Sequence, residues 1–183
     1  VTDHNTIEGA LAVQKIADFQ VIVGEEIGSA SGEITGLFLK EKVPKRLSPI
    51  ETVKRIKDQG GLVSIPHPFD RFRGEVISRS SLDEILPYVD IMEAFNSRNS
   101  FSIDDRKAEQ FASKHGLLIS GVSDSHTLME LGRTYVKMPE FDGTPDGFKL
   151  SLAQGTIVGQ RTNPLIHILT TITKLKKRLT RTT

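Results

Sequence analysis

Apolar and polar positions alternate along the chain in two rhythms, one of helical and one of strand period. Ile7, Ala10, Leu11, Val13 and Ile16 recur at helical spacing and predict a first helix running to Ala17, capped by Asn5 or Thr6. Phe19 to Val23 predicts a buried strand ending at Gly24-Glu25-Glu26, and Glu33 to Leu39 a second strand after the small-residue turn Ser29 to Gly32. Ser48-Pro49-Ile50-Glu51 carries a serine cap, a proline suited to the first helical position and a glutamate placed for a capping box, and Gly60-Gly61 ends the helix so begun. The sequence then predicts a strand at Leu62 to Pro66, a short helix at Ser81 to Leu86 and a strand at Val89 to Phe95. A helix from Ile103 to Lys114, capped by Ser102 and closed by Gly116, precedes a strand through Leu117-Leu118-Ile119. Arg133 to Met138 and Thr156 to Val158 read as strands flanking a helix opened by Thr144-Pro145, and Asn163-Pro164 opens a terminal helix.

Strand and helix alternate almost throughout, which predicts an α/β architecture with a parallel sheet. In such folds the chemistry gathers beyond the carboxyl ends of the strands. Glu26, His67, Asn96, Asp124 and His126 all follow predicted strands, so the pattern itself nominates a polar rim. The period of two along a strand predicts that Asp124 and His126 point the same way.

Composition narrows the chemistry. The 183 residues are enough for one domain with a sizeable core, and a net charge of +1 points to neither nucleic acid nor membrane as a bulk partner. The absence of cysteine excludes disulfides, thiolate metal sites and cysteine nucleophiles. With no signal peptide and no apolar run of membrane-spanning length, the expectation is a cytoplasmic protein.

Nitrogen and oxygen donors remain. His4, His67 and His126 with Asp3, Glu26 and Asp124 come from well-separated stretches, and on one rim they would suffice for two or three divalent cations. Paired cations suit phosphate ester hydrolysis, in which one activates water and the other offsets charge on the leaving oxygen. Arg98 and Arg133 are candidate phosphate clamps, with Asn96 beside them, and Arg71 and Arg73 are weaker candidates. Singly, each residue also fits a structural role, such as a turn histidine at His67 or a solvated pair at Glu25 and Glu26.

Thr2-Asp3-His4-Asn5-Thr6, Gly24-Glu25-Glu26-Ile27, Gly36 to Leu39, His67-Pro68-Phe69-Asp70, Glu93 to Arg98 and Gly121 to His126, in this order, resemble the polymerase and histidinol phosphatase (PHP) superfamily of metal-dependent phosphoesterases. The resemblance covers residues 1 to about 140 and implies a distorted (β/α)7 TIM-like barrel with a trinuclear site at its carboxyl mouth. It implies that His4 and His126 hold one metal, that Glu26 bridges two, and that His67 and Asp124 are ligands, with Mn, Zn, Fe or Mg as the cations. Asp124, His126 and Arg98 would then stand closest to the reaction, and Arg98, Arg133 and Asn96 would contact the substrate phosphate.

Two departures from the family pattern stand out. No His-x-His strand precedes Val1, so the first strand and helix of the barrel are expected to be absent from this chain, and Glu33 stands where the family usually has a metal-binding histidine. The expected division is a PHP domain over residues 1–162 and a basic amphipathic helix over 163–183. In that helix Leu165, Ile168, Leu169, Ile172, Leu175 and Leu179 form the apolar stripe, and Lys174, Lys176, Lys177, Arg178 and Arg181 a basic cluster suited to weak contact with an anionic surface. The expected substrate is a small phosphate monoester or a short nucleic acid. The alternatives are a non-catalytic PHP domain used as a scaffold or nucleic-acid-binding module, and a metal-dependent amidohydrolase.

Overall fold

The computed structural model describes residues 1–161. A six-stranded open sheet forms its centre, in the order β1 (Thr2–His4), β2 (Gly24–Ser29), β3 (Gly32–Leu37), β4 (Leu62–Ile65), β5 (Ile91–Asn96) and β6 (Leu118–Val122). A separate antiparallel pair joins β7 (Tyr135–Lys137) to β8 (Thr156–Val158). The helices are α1 (Glu8–Ile16), α2 (Pro49–Asp58), α3 (Arg79–Ile85), α4 (Ser102–His115) and α5 (Pro145–Leu152). The expected terminal helix lies outside the described residues.

The sheet is mixed. β3 runs antiparallel to both β2 and β4, while β1–β2, β4–β5 and β5–β6 are parallel. The expectation of a parallel sheet fails at β2–β3 because only two residues separate these strands, too few for a parallel crossover and enough for a hairpin. Gly32 closes the turn at φ 118°, and a Cβ there would lie 2.3 Å from the backbone of Ile77. The result is a mixed α/β fold with a curled half-barrel sheet, and the described residues do not complete a seven-repeat TIM-like barrel.

Ile27, Ile34, Val53, Ile56, Val63, Ile65, Leu82, Ile85 and Met92 are buried together between this sheet and its helices. Each such side chain contributes about 1.5–3 kcal/mol by leaving water. The core therefore fixes β2 to β5, the strands that carry most of the rim. Helix α2 starts as the sequence predicts: Glu51 N donates to Ser48 Oγ and Ser48 N to Glu51 Oε2, each at 3.3 Å.

Other boundaries move. The predicted strand at Phe19 to Val23 does not form: Phe19 is exposed, and the ladder to β1 begins only at Gly24, opposite Thr2. Ile7 takes the cap position of α1 without a side-chain hydrogen bond, whereas Asn5, at φ 56°, turns its Oδ1 to accept from Gly28 N at 2.9 Å. Ser102 is the first residue of α4 rather than its cap, and Ser78 caps α3 by accepting from Ser81 N. Strand β7 occupies only the middle of the predicted Arg133 to Met138 stretch.

Candidate metal centre

Strand register brings the first ligands together. His4 stands opposite Glu26 across β1–β2, and Glu26 stands opposite Thr35 across β2–β3, so Glu33, two residues before Thr35, shares that face on the diagonal. Glu26 therefore lies within β2 rather than after a strand, a correction that follows from the shifted start of β2. His67 arrives from the end of β4, held at φ 30° by a backbone hydrogen bond from its own N to Glu93 Oε2 at 2.9 Å.

The four side chains close a ring. His4 Nδ1 lies 3.4 Å from Glu26 Oε2 and 3.1 Å from Glu33 Oε1, and His67 Nε2 lies 3.2 Å from Glu26 Oε1 and 3.3 Å from Glu33 Oε2. Donor atoms of His4, Glu26 and Glu33 all lie within 4.8 Å of one another, near enough to grip one cation. Glu33 Oε2, despite its proximity to His67, has no well-directed hydrogen bond, and buried His67 Nδ1 has none.

The ring is strongly polarised. Burial lowers the His67 pKa, but its close contacts with the Glu26 and Glu33 carboxylates outweigh it and raise the value to about 9. Burial raises that of Glu33, and its two imidazole partners reverse this, to about 2. Protons thus hold two carboxylates together where a divalent cation could replace them. All donors are nitrogen or oxygen, a set that fits Mn, Zn, Fe or Mg.

Asp124 and His126 form the opposite wall. With His4, Glu26, Glu93 and Asn96 they line a cleft of about 800 Å³. Strand periodicity does not bring them there, because β6 ends at Val122 and Asp124 turns to φ 47°, a left-handed conformation costing of order 1–3 kcal/mol. His126 folds back so that its Nδ1 meets the Asp124 carbonyl oxygen at 2.9 Å, and its ring centroid lies 6.4 Å from that of His4. Asp124 is engaged by the Arg73 guanidinium, whose Nε is also 3.4 Å from Asp70 Oδ2. Asn96 Nδ2 reaches Glu93 Oε2 at 3.2 Å and Asp124 Oδ2 at 3.4 Å.

The expected arginine clamps are placed differently. Arg98 is buried, with its Nε 3.5 Å from Glu130 Oε1, the carboxylate that also accepts from His126 N. Arg133 is exposed and does not line the cleft. The sequence reading missed Glu93, buried beneath His67 and pushed by that burial to about 7, and Glu130, which accepts from His126 N and Thr127 Oγ1 at 3.0 Å each. A charge inside the apolar run Val89 to Phe95 was the available signal for Glu93.

Residues 103–157 match a family model described as PHP-associated. The chain is 38% identical over 124 residues to the uncharacterized protein MJ0417 of Methanocaldococcus jannaschii, covering 66% of this chain and 52% of that protein. It is 50% identical over 72 residues to a second uncharacterized protein of that organism, MJ1587, covering 38% of this chain and 42% of the relative. The chain therefore spans about half the length of the curated relatives it matches. A crystal structure from Bacteroides vulgatus, of a two-domain protein containing a predicted PHP-like metal-dependent phosphoesterase, aligns with TM-score 0.62 at 18% identity, covering 87% of this chain and 51% of that one. The PHP resemblance carried by the sequence motifs is upheld by the family model over residues 103–157, and the fold is shared over most of the chain.

Proposed function

We propose that the chain is a metal-dependent phosphoesterase acting on phosphate mono- or diesters, with small phosphorylated compounds or short nucleic acids as substrates. The observation that carries this reading is the closed ring of His4, Glu26, His67 and Glu33, opening on a cleft whose far wall presents Asp124 and His126. A cation held by this set would lower the pKa of bound water and offset charge on a phosphoryl oxygen. Glu26 and Glu33 would hold the cation as oxygen donors beside His4, and Glu93 orients His67 by accepting from its backbone N–H. Asn96, between Glu93 and Asp124, couples the two walls. The basic segment 163–183 is assigned a weak contact with anionic surfaces, resting on its sequence alone.

The test is turnover of p-nitrophenyl phosphate, bis(p-nitrophenyl) phosphate and a 5′-phosphorylated oligonucleotide after chelation and after adding back Mn, Zn, Fe or Mg. Hydrolysis that chelation abolishes and a cation restores is the expected result. Cation binding without turnover under every metal would instead favour the non-catalytic scaffold reading.

A further inference from the structure

Beside the cleft, on the side of the loop after β4, two aromatic rings stand in water. Phe72, in that loop, is 66% exposed, and Phe101, immediately before α4, is 49% exposed. Their ring centroids lie 5.6 Å apart at an interplanar angle of 32°, so the two rings form one apolar surface. Rings of this size stabilise a fold by leaving water, and a pair that stays in it is a surface for a ligand.

Cations surround the pair. The guanidinium carbon of Arg71 lies 5.9 Å from the Phe101 ring centroid, and buried Asp104 fixes it there by accepting from Arg71 Nη2 at 2.9 Å. Exposed Arg106 has its Nη1 3.5 Å from the Oγ of Ser102, the residue after Phe101. Arg73 follows Phe72 in the chain, and its guanidinium meets Asp124 on the cleft wall. One extended side chain and one backbone step of about 3.8 Å therefore separate Phe72 from the metal cleft, a distance on the order of 10 Å.

A flat apolar surface ringed by guanidinium groups suits an anionic ligand that carries aromatic rings. An aliphatic phosphate has nothing to lay on Phe72 and Phe101, and an apolar peptide has no charge for the arginines. A nucleic acid strand has both. Each base offers a π-face that stacks with little regard to sequence, and each linkage carries a negative charge.

We propose that Phe72 and Phe101 are a stacking platform for the bases of a single strand whose reacting phosphate lies in the metal cleft, with Arg71 and Arg106 beside its backbone. The substrate is then a single-stranded nucleic acid and not a small phosphorylated compound. The phosphoesterase reading supplies only the place of the reacting phosphate. The platform rests on the two rings and their cations.

The chain contains no tryptophan, so Phe72→Trp puts a single indole into the platform. The experiment titrates this variant, in chelator so that nothing is hydrolysed, with a thymidine octamer and with an abasic octamer of the same length and charge. The thymidine octamer should quench the indole fluorescence and bind about ten- to hundred-fold tighter than its abasic counterpart, the range of one base stacked on an aromatic ring. Calorimetry on the wild type should give the same preference. Phe72→Ala/Phe101→Ala should bring it close to one, with circular dichroism unchanged and the weaker binding of the abasic octamer retained. Equal affinity for the two octamers, no measurable binding of either, or a preference that survives in the double variant overturns the platform. So does a wild-type dimer that the double variant dissociates without any base preference, which would assign the surface to a second copy of the chain. If the Mn-loaded chain hydrolyses bis(p-nitrophenyl) phosphate but the octamers bind alike, the platform alone fails. If the preference is present and lost in the double variant while no phosphoester is hydrolysed under any cation, the platform stands and the enzyme reading fails.

Discussion

The two walls of the cleft are built on different principles. On one, His4, Glu26 and Glu33 project from paired strands, their spacing set by ladder register over a buried core of Ile27, Ile34 and Ile56, and buried His67 closes on them from the end of β4. On the other, Asp124 and His126 leave the end of β6 on a loop whose neighbours Leu128, Met129 and Leu131 are exposed. One buried carboxylate, Glu130, staples that loop by accepting from His126 N and Thr127 Oγ1 while pairing with Arg98. A sheet pre-orders its donors, whereas a stapled loop holds its own through a few hydrogen bonds. The first wall should therefore define cation affinity, and the second should adjust to what is bound.

Replacing one imidazole on each wall tests this most directly. His67→Ala removes a 1% exposed group that contacts both Glu26 and Glu33, and should lower Mn affinity by roughly 100-fold or more, since even outer partners of ligands are worth 10–100-fold. His126→Ala, on the loop, should lower it by about ten-fold, the lower end of that range. Titration calorimetry measures both, with circular dichroism confirming the fold. Equal losses would show that the walls contribute alike and would break the comparison.

Protons compete with cations most strongly at the first wall. In the metal-free protein His67 is raised from 6.5 to about 9, so its stabilising contribution is full below pH 6.5 and disappears as pH rises through 9. Glu33 is lowered from 4.5 to about 2, so its contribution is full above pH 4.5 and disappears as pH falls through 2. The ring on its own therefore stabilises the metal-free chain most between pH 4.5 and 6.5. Mn binding must displace the His67 proton, so affinity should rise about ten-fold per pH unit from neutrality toward 9, with proton release into weakly buffered solution. A pH-independent affinity would mean that the cation does not displace the His67 proton.

The same contrast explains what could be read from the sequence. Glu26, His67, Asp124 and His126 were legible because short motifs carry them, and α2 because Ser48, Pro49 and Glu51 form a local cap. Glu33 was legible as a departure from a family pattern, but its place in the ring depends on the β2–β3 hairpin, whose antiparallel pairing the alternation of elements concealed. Phe19 to Val23 misled because an apolar run does not reveal whether a ladder partner exists, and here pairing starts at Gly24. The partners of Arg98 and Arg73 were hidden for a non-local reason. Arg98 is buried against Glu130, 32 positions on, and Arg73 reaches Asp124, 51 positions on, distances along the chain that no local pattern encodes.

Arg73 sharpens the comparison with the smallest expected effect and an opposite sign. Its guanidinium engages Asp124 and lies near Asp70, so in the metal-free cleft it satisfies a carboxylate that the loop wall would otherwise offer to a cation. Burial acts to lower the Arg73 pKa, and attraction to Asp124 reverses this and raises it, so the side chain remains charged and competes with metal. Arg73→Gln keeps hydrogen-bonding capacity but removes the charge. It should raise Mn affinity by about three- to ten-fold, because a partly exposed ion pair is worth about 1 kcal/mol. The gain should vanish in the background of Asp124→Asn, which isolates the coupling as a double-mutant cycle. If Arg73→Gln weakened metal binding instead, Arg73 would be a support of the loop wall rather than a stand-in for its cation, and Asp124 would depend on the segment after β4 for its position.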